Sequence, residues 1–209
     1  NPLAVISGRA QMLRNRATDE PLQRDLDAIV RHAQECSDIV TELMEFAQSA
    51  APSPETISLP EFLDTFRTQL ISTGLLAAEA LVLDVPSDTP SVRFDRDQLG
   101  RTFRELVNNA VESTEPSTRR LSIKASTDLT EENIVVEVAD NGRGMTAEVR
   151  SRAIDPFFSH RPAGRGRGLG LARVHRWLRQ NGGSLALDSR PGEGTRVSLR
   201  LPMAAPSNG

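Results

Sequence analysis

Apolar side chains along the first fifty residues recur at steps of three and four. Leu3, Ile6, Ala10 and Leu13, with Val5, take one side of a helix, while Arg9, Gln11 and Arg14 take the other. Thr18-Asp19-Glu20-Pro21 then reads as a turn and a restart, because proline and acidic residues suit the first turn of a helix. The second helix is predicted to run to about Ala50, with Leu22, Leu26, Ile29, Val30, Ala33, Cys36, Ile39, Val40, Leu43 and Phe46 forming a long, narrow stripe. Two helices cannot cover such a seam by themselves. An antiparallel hairpin that pairs with a second copy as a four-helix bundle is the expected solution.

The period changes after the punctuated segment AAPSP (Ala50 to Pro54). Beyond it the pattern predicts a strand at Thr56 to Leu59, a helix from about Pro60 to Thr73 and a strand around Leu81 to Val85. A helix from about Asp95 to Ser113 is followed by alternating strands at Leu121 to Thr127 and Ile134 to Ala139. Glycine-rich loops fill Asp140 to Gly170, then a helix from about Leu169 to Gln180 and strands near Ser184 to Asp188 and Arg196 to Leu201. The last two pairs of strands look like hairpins. The predicted fold class is therefore α+β: a helical hairpin (1–50), a linker (51–55), an α/β sandwich with a mixed sheet (56–202) and a flexible tail (203–209).

Composition narrows the function classes. In 209 residues, 38% hydrophobic and 25% charged content is that of a globular protein, which excludes a wholly disordered chain. A formal net charge of -3 supplies no basic field for nucleic acid. Cys36 is the single cysteine and cannot form an internal disulfide; on the apolar stripe it reads as a small core residue. No apolar run approaches the roughly 20 residues that cross a bilayer. The chain opens on Asn1 and is expected to be part of a longer one.

Candidate chemistry sits in three places. Asp140-Asn141-Gly142-Arg143-Gly144 follows the strand IVVEVA; an aspartate there can accept from an amino heterocycle while its glycines let the ring approach the backbone. Gly164-Arg165-Gly166-Arg167-Gly168-Leu169-Gly170 opens a helix, where free amides and the helix dipole meet a polyanion. Glu105 and Asn109, four apart, share one helix face and offer two oxygens to a magnesium ion carried on phosphates. Each alone has a plain alternative: a glycine turn, a solvated helix face, a basic loop.

ELVNNA, DNGRGM, DPFFSHRPAGRGRGLGL and NGGSLALDSRPGEGTRVSLRLP, in that order, resemble the four boxes of the sensor histidine kinase ATP-binding domain, a fold shared with gyrase and Hsp90. The resemblance covers about Ile57 to Pro202. It implies that Asn109 coordinates magnesium, Asp140 binds the adenine amino group, and Gly142 and Gly144 shape the adenine pocket. It further implies that Asp155, Phe157 and Phe158 start an ATP lid, that Gly166, Gly168, Leu169 and Gly170 form its phosphate-binding end, and that Thr195 sits near the adenine-binding aspartate. The box that usually opens with Asn here opens with Glu105, as in the gyrase branch, which leaves it a second metal ligand or a base. Arg161, Arg165 and Arg167 are expected to neutralise phosphate charge or to be a solvated basic lid.

NPLAVISGRAQML resembles the continuation of the family's His-Glu-x-x-Asn-Pro-Leu acceptor segment, which places the phosphorylated histidine four residues before Asn1. Asn1 then matches the position that orients water when the response regulator is dephosphorylated. His32, His160 and His175 lack the acceptor's flanking pattern. The resemblance implies a histidine kinase core using ATP and magnesium, a homodimer through the hairpin, a response regulator receiver domain as partner and a cytoplasmic setting, with any membrane anchor upstream. A gyrase-like or MutL-like ATPase and a catalytically silent nucleotide-binding module remain alternatives. A serine kinase of the anti-sigma type lacks the hairpin, and a dinucleotide-binding dehydrogenase needs a strand directly before Gly164.

Overall fold

The computed structural model describes residues 2–47, 51–128, 130, 132–159 and 168–205, without the side chains of 42 and 45–47. The chain divides into two compact units, Asn1–Ala50 and Ala51–Gly209.

In the first unit, α1 (Pro2–Arg14) and α2 (Glu20–Ala47) form the hairpin that the periodicity predicts. Asp19 caps α2 by accepting from the Leu22 N–H at 3.0 Å, and Gln23 Nε2 reaches the Ala17 carbonyl at 2.7 Å. Ala10, Leu26 and Ala33 are buried between the helices, whereas Leu22, Ile29, Ile39, Val40 and Leu43 stay exposed. The stripe thus has an inner edge that two helices cover and an outer one that they leave bare. Cys36, expected in the core, is exposed. His32 is on the surface, its Nδ1 2.9 Å from Glu35 Oε2.

The second unit opens with β1 (Glu55–Ile57), α3 (Leu59–Ser72), a single 3-10 turn at Ala78–Ala80, β2 (Leu81–Asp84) and β3 (Val92–Phe94). Then come α4 (Arg96–Ser113), β4 (Leu121–Asp128), β5 (Asn133–Asp140), α5 (Ala147–Arg152), α6 (Gly170–Gln180), β6 (Ser184–Ser189) and β7 (Thr195–Pro202). The five-stranded sheet has the order β2-β4-β5-β7-β6, with β2 parallel to β4 and every other pairing antiparallel. This is the mixed sheet expected from two hairpins plus one crossover. Alternation decides which face is inner: Leu121 and Ile123, Ile134, Val136 and Val138, and Leu199 and Leu201 are buried together with Leu63, Phe66, Phe103, Val107, Val174 and Leu178 of α3, α4 and α6. The opposite face of the sheet carries the half-exposed and exposed alternates.

Three expectations are corrected. Residues 51–55 are part of the second unit: the Ser53 N–H donates to Asp95 at 2.8 Å, and Glu55 pairs with Phe94 in a two-stranded sheet of β1 and β3. The tail is not free from its start, because the Met203 N–H donates to the Glu132 carbonyl and that of Ala204 to Ser91. The stretch read as loops from Asp140 to Gly170 contains α5, capped by Thr146.

Candidate functional site

Asp140 ends the central strand β5, opposite Leu121 on one side and Thr195 on the other. Its Oδ1 accepts from the Gly142 N–H at 2.7 Å and from Ser113 Oγ at 3.2 Å. Burial pushes its pKa above the ordinary carboxylate value, against the opposing pull of the hydrogen bonds from Gly142 and Ser113 and of the nearby Thr195 backbone. Gly142 fits only without a side chain: a Cβ there would stand 2.5 Å from Ser113 Oγ and 2.6 Å from Asp140 Oδ1. Gly144 has φ +65°, and a Cβ on it would run into the Arg190 carbonyl. Thr195 stands opposite Asp140 in the β5–β7 ladder, while its hydroxyl is 3.0 Å from Ser189 Oγ. Ser189 in turn accepts from the Met145 N–H at 2.9 Å and donates to the Gly194 carbonyl at 2.8 Å.

The second part lies on α4. Asp95 caps its start by accepting from the Gln98 N–H at 2.9 Å. Leu99, Phe103, Leu106, Val107 and Ala110 turn into the core. Glu105, Asn109 and Ser113, spaced by four, form a separate edge. At one end of that edge Ser113 meets Asp140. At the other, a Cβ on Gly170 would stand 2.9 Å from Glu105 Oε2 and 3.4 Å from Asn109 Nδ2, so both side chains face the first residue of α6. Glu105 Oε1 lies 3.2 Å from Arg173 on α6, with the two side chains only 25% and 19% exposed.

The third part is the segment leading into and out of the expected lid. The Phe157 N–H donates to the Gly168 carbonyl at 3.0 Å, and both residues take positive φ, 66° and 67°. A Cβ on Gly168 would collide with the Phe158 carbonyl. Arg152 of α5 holds its guanidinium 4.2 Å over the Phe158 ring. Leu169 is buried. Asn1, His160, Arg161, Arg165, Gly166 and Arg167 lie outside the described residues.

The structure thus gathers Asp140, Gly142 and Thr195 at one end and Glu105, Asn109 and Gly170 at the other. Sequence reasoning missed Ser113, although it continues the spacing of four from Glu105 and Asn109. It also missed Arg173. A cation in the first turn of a helix opposes the dipole, and that misplacement was the available signal. Asn141 was not singled out either: it accepts from the Arg120 N–H and donates to the Thr118 carbonyl, each at 2.8 Å, and so fixes the loop before β4.

These features define a two-layer ATPase-type sandwich preceded by a helical hairpin. The chain belongs to the histidine kinase-, DNA gyrase B- and HSP90-like ATPase family, whose model matches residues 94–205. The His Kinase A (phospho-acceptor) domain model matches residues 1–52. Among curated relatives, the signal transduction histidine-protein kinase AtoS of Escherichia coli K12 is 24% identical over 209 residues, covering 100% of this chain and 34% of its own length. The sensory histidine kinase/phosphatase NtrB of Rhodobacter capsulatus is 30% identical, covering 98% of this chain and 59% of its own. The chain therefore spans about a third to three fifths of these relatives. Full-length ShkA in complex with AMPPNP superposes with a TM-score of 0.68 at 22% identity, covering 98% of this chain and 44% of that one. The Acinetobacter baumannii histidine kinase AdeS gives 0.63 at 20% identity, covering 98% and 96%. At these identities the two structures bear on the fold.

Proposed function

We propose that this chain is the kinase core of a two-component sensor histidine kinase, binding ATP with magnesium and directing the γ-phosphoryl to a histidine imidazole for relay to a response regulator aspartate. One observation carries the reading: a single helix edge serves both ends of the site, with Ser113 at the Asp140 carboxylate and Asn109 and Glu105 at the start of α6. At 1.5 Å rise per residue those contacts are spread over about 12 Å of helix, room for an elongated ligand.

Asp140 accepts from the adenine amino group with the oxygen that its protein partners leave available, and Gly142 and Gly144 keep the ring space clear of side chains. At the other end, the amides opening α6 meet the phosphates. The donor set suits magnesium, which needs few protein oxygens when phosphates and water supply the rest; Asn109 offers an uncharged one, and no cluster of three or more acidic, histidine or cysteine residues exists among the described residues. When bound, magnesium draws charge off the phosphate oxygens. In the transfer, the bond from the γ-phosphorus to the bridging oxygen breaks, a bond to the imidazole nitrogen forms and ADP leaves. The protein's share is to hold the phosphates in line and neutralise charge, a task for Arg161, Arg165 and Arg167 on this reading.

The hairpin supplies the dimer seam through the exposed Leu22, Ile29 and Leu43 edge of α2. A cytoplasmic setting fits this chemistry, and no described helix is long and apolar enough to cross a membrane. A gyrase-like hydrolase would need Glu105 as a base, and its pairing with Arg173 weighs against that use. The test is transfer of label from γ-labelled ATP in the protein extended through the acceptor histidine. Asn109→Ala and Asp140→Ala each abolish labelling on this reading; undiminished labelling in both defeats it.

A further inference from the structure

Glu105 has been left with two uses, metal ligand or base, and its surroundings point to a third. Its side chain is three-quarters covered. Arg173 stands beside it as a counter-charge at 3.2 Å. Arg173 gains from the pair in turn. It stands in the first turn of α6, where the helix dipole repels a cation, and no acidic residue of α6 occupies that turn. Each charge is therefore misplaced on its own helix and well placed against the other. The second oxygen, Oε2, faces Gly170, 2.9 Å from where a Cβ would be, so one carboxylate faces the first residue of α6 and pairs with the guanidinium one turn on.

We propose that the Glu105–Arg173 ion pair is a clasp that fixes the start of α6 against α4. Glu105 is then a positioning residue for the phosphate-binding backbone, acting through Arg173, and Asn109 alone is the side-chain ligand for magnesium. The inference rests on the nucleotide-binding reading for its effect on ATP, but the clasp itself can be read without nucleotide.

The experiment uses the 209-residue chain, unaltered and as Glu105→Gln, Arg173→Met and the double variant. Calorimetry gives ATP affinity across a magnesium series, and hydrogen exchange without nucleotide gives protection of the Arg173 and Val174 amides, the first in α6 to bond back into its opening turn. Each single change is expected to weaken ATP binding about tenfold and to speed exchange in that turn about tenfold, with the double variant no worse than either single one. The magnesium concentration at half-saturation stays the same throughout. If Glu105→Gln raises the magnesium requirement and Arg173→Met does not, Glu105 is a ligand and the clasp is overturned. Unchanged exchange in the single variants, or effects that add in the double, overturn it as well. Failure of the unaltered chain to take up any adenine nucleotide would sink the proposed function instead, and the exchange rates would still decide the clasp.

Discussion

Replacing Asp140 by Asn separates what the carboxylate does for the ligand from what it does to the protein. The amide keeps the shape, and its single carbonyl oxygen can still accept from the Gly142 N–H and Ser113 Oγ, as Oδ1 does now. The other position becomes an NH2, a donor facing the adenine amino group, which is also a donor. The ligand thus loses a hydrogen bond to a charged group, about 1.5–3 kcal/mol, which is roughly 10- to 150-fold in Kd. For stability the sign is opposite. Burial raises the folded-state pKa of Asp140, so the folded chain carries a penalty for the ionised form that is fully present above that raised value. The penalty fades as pH falls through the raised value toward the ordinary carboxylate range. Asp140→Asn is therefore expected to be as stable as the unaltered chain or more so at pH 7, with any advantage shrinking on acidification. Urea melts at several pH values and ATP calorimetry at pH 7 make the two measurements. An Asn variant that binds ATP with unchanged Kd would refute the assignment of adenine recognition to this side chain. One that loses stability at pH 7 would refute the burial argument.

Gly142→Ala places a methyl within 2.7 Å of the Ser113 carbonyl; it is expected to cost about 1–3 kcal/mol by overpacking and to remove ATP binding, read by thermal melts and calorimetry. Arg152→Ala deletes the cation over the Phe158 ring, a loss of about 0.5–1 kcal/mol at an exposed site, and should weaken ATP binding a few-fold while leaving adenosine binding unchanged. Ile29→Arg puts a charge on the bare outer edge of α2; sedimentation velocity should show a chain that self-associates before the change and stays monomeric after it.

The elements with a strong period were legible. Each of α2, α4 and α6 is amphipathic along its length, and the β4–β5 and β6–β7 hairpins alternate cleanly, so the pattern carried type and approximate limits. The elements that escaped are short. β3 has three residues and exists because β1 pairs with it, a contact from Glu55 to Phe94 that no local window contains. α5 has six residues with no apolar stripe, and the glycines around it dominate the reading. For the site, residue types at motif spacing located Asp140, Asn109 and Gly170. The partners Ser113 and Arg173 escaped because each meets its target through tertiary packing, across 27 and 68 positions of sequence. Cys36 failed for a related reason. A stripe position says which way a side chain leans, and only packing says whether something covers it.

Why one helix can serve both ends of the site follows from how it is held. The start of α4 is fixed by Asp95, whose N–H donates to Asn181 Oδ1 at 2.9 Å just beyond the end of α6. Its last turn is fixed by Arg119, which donates to the Thr114 hydroxyl at 2.9 Å and to the Val111 carbonyl at 3.0 Å. Between these anchors Leu99, Phe103 and Val107 are fully buried, so the helix cannot roll without pulling them from the core. One residue of slip in register would turn the helix by about 100° and withdraw Glu105, Asn109 and Ser113 together. The polar edge is therefore placed by the apolar one. That makes the core face of α4 a determinant of nucleotide affinity, even though none of its residues is assigned a contact with the ligand.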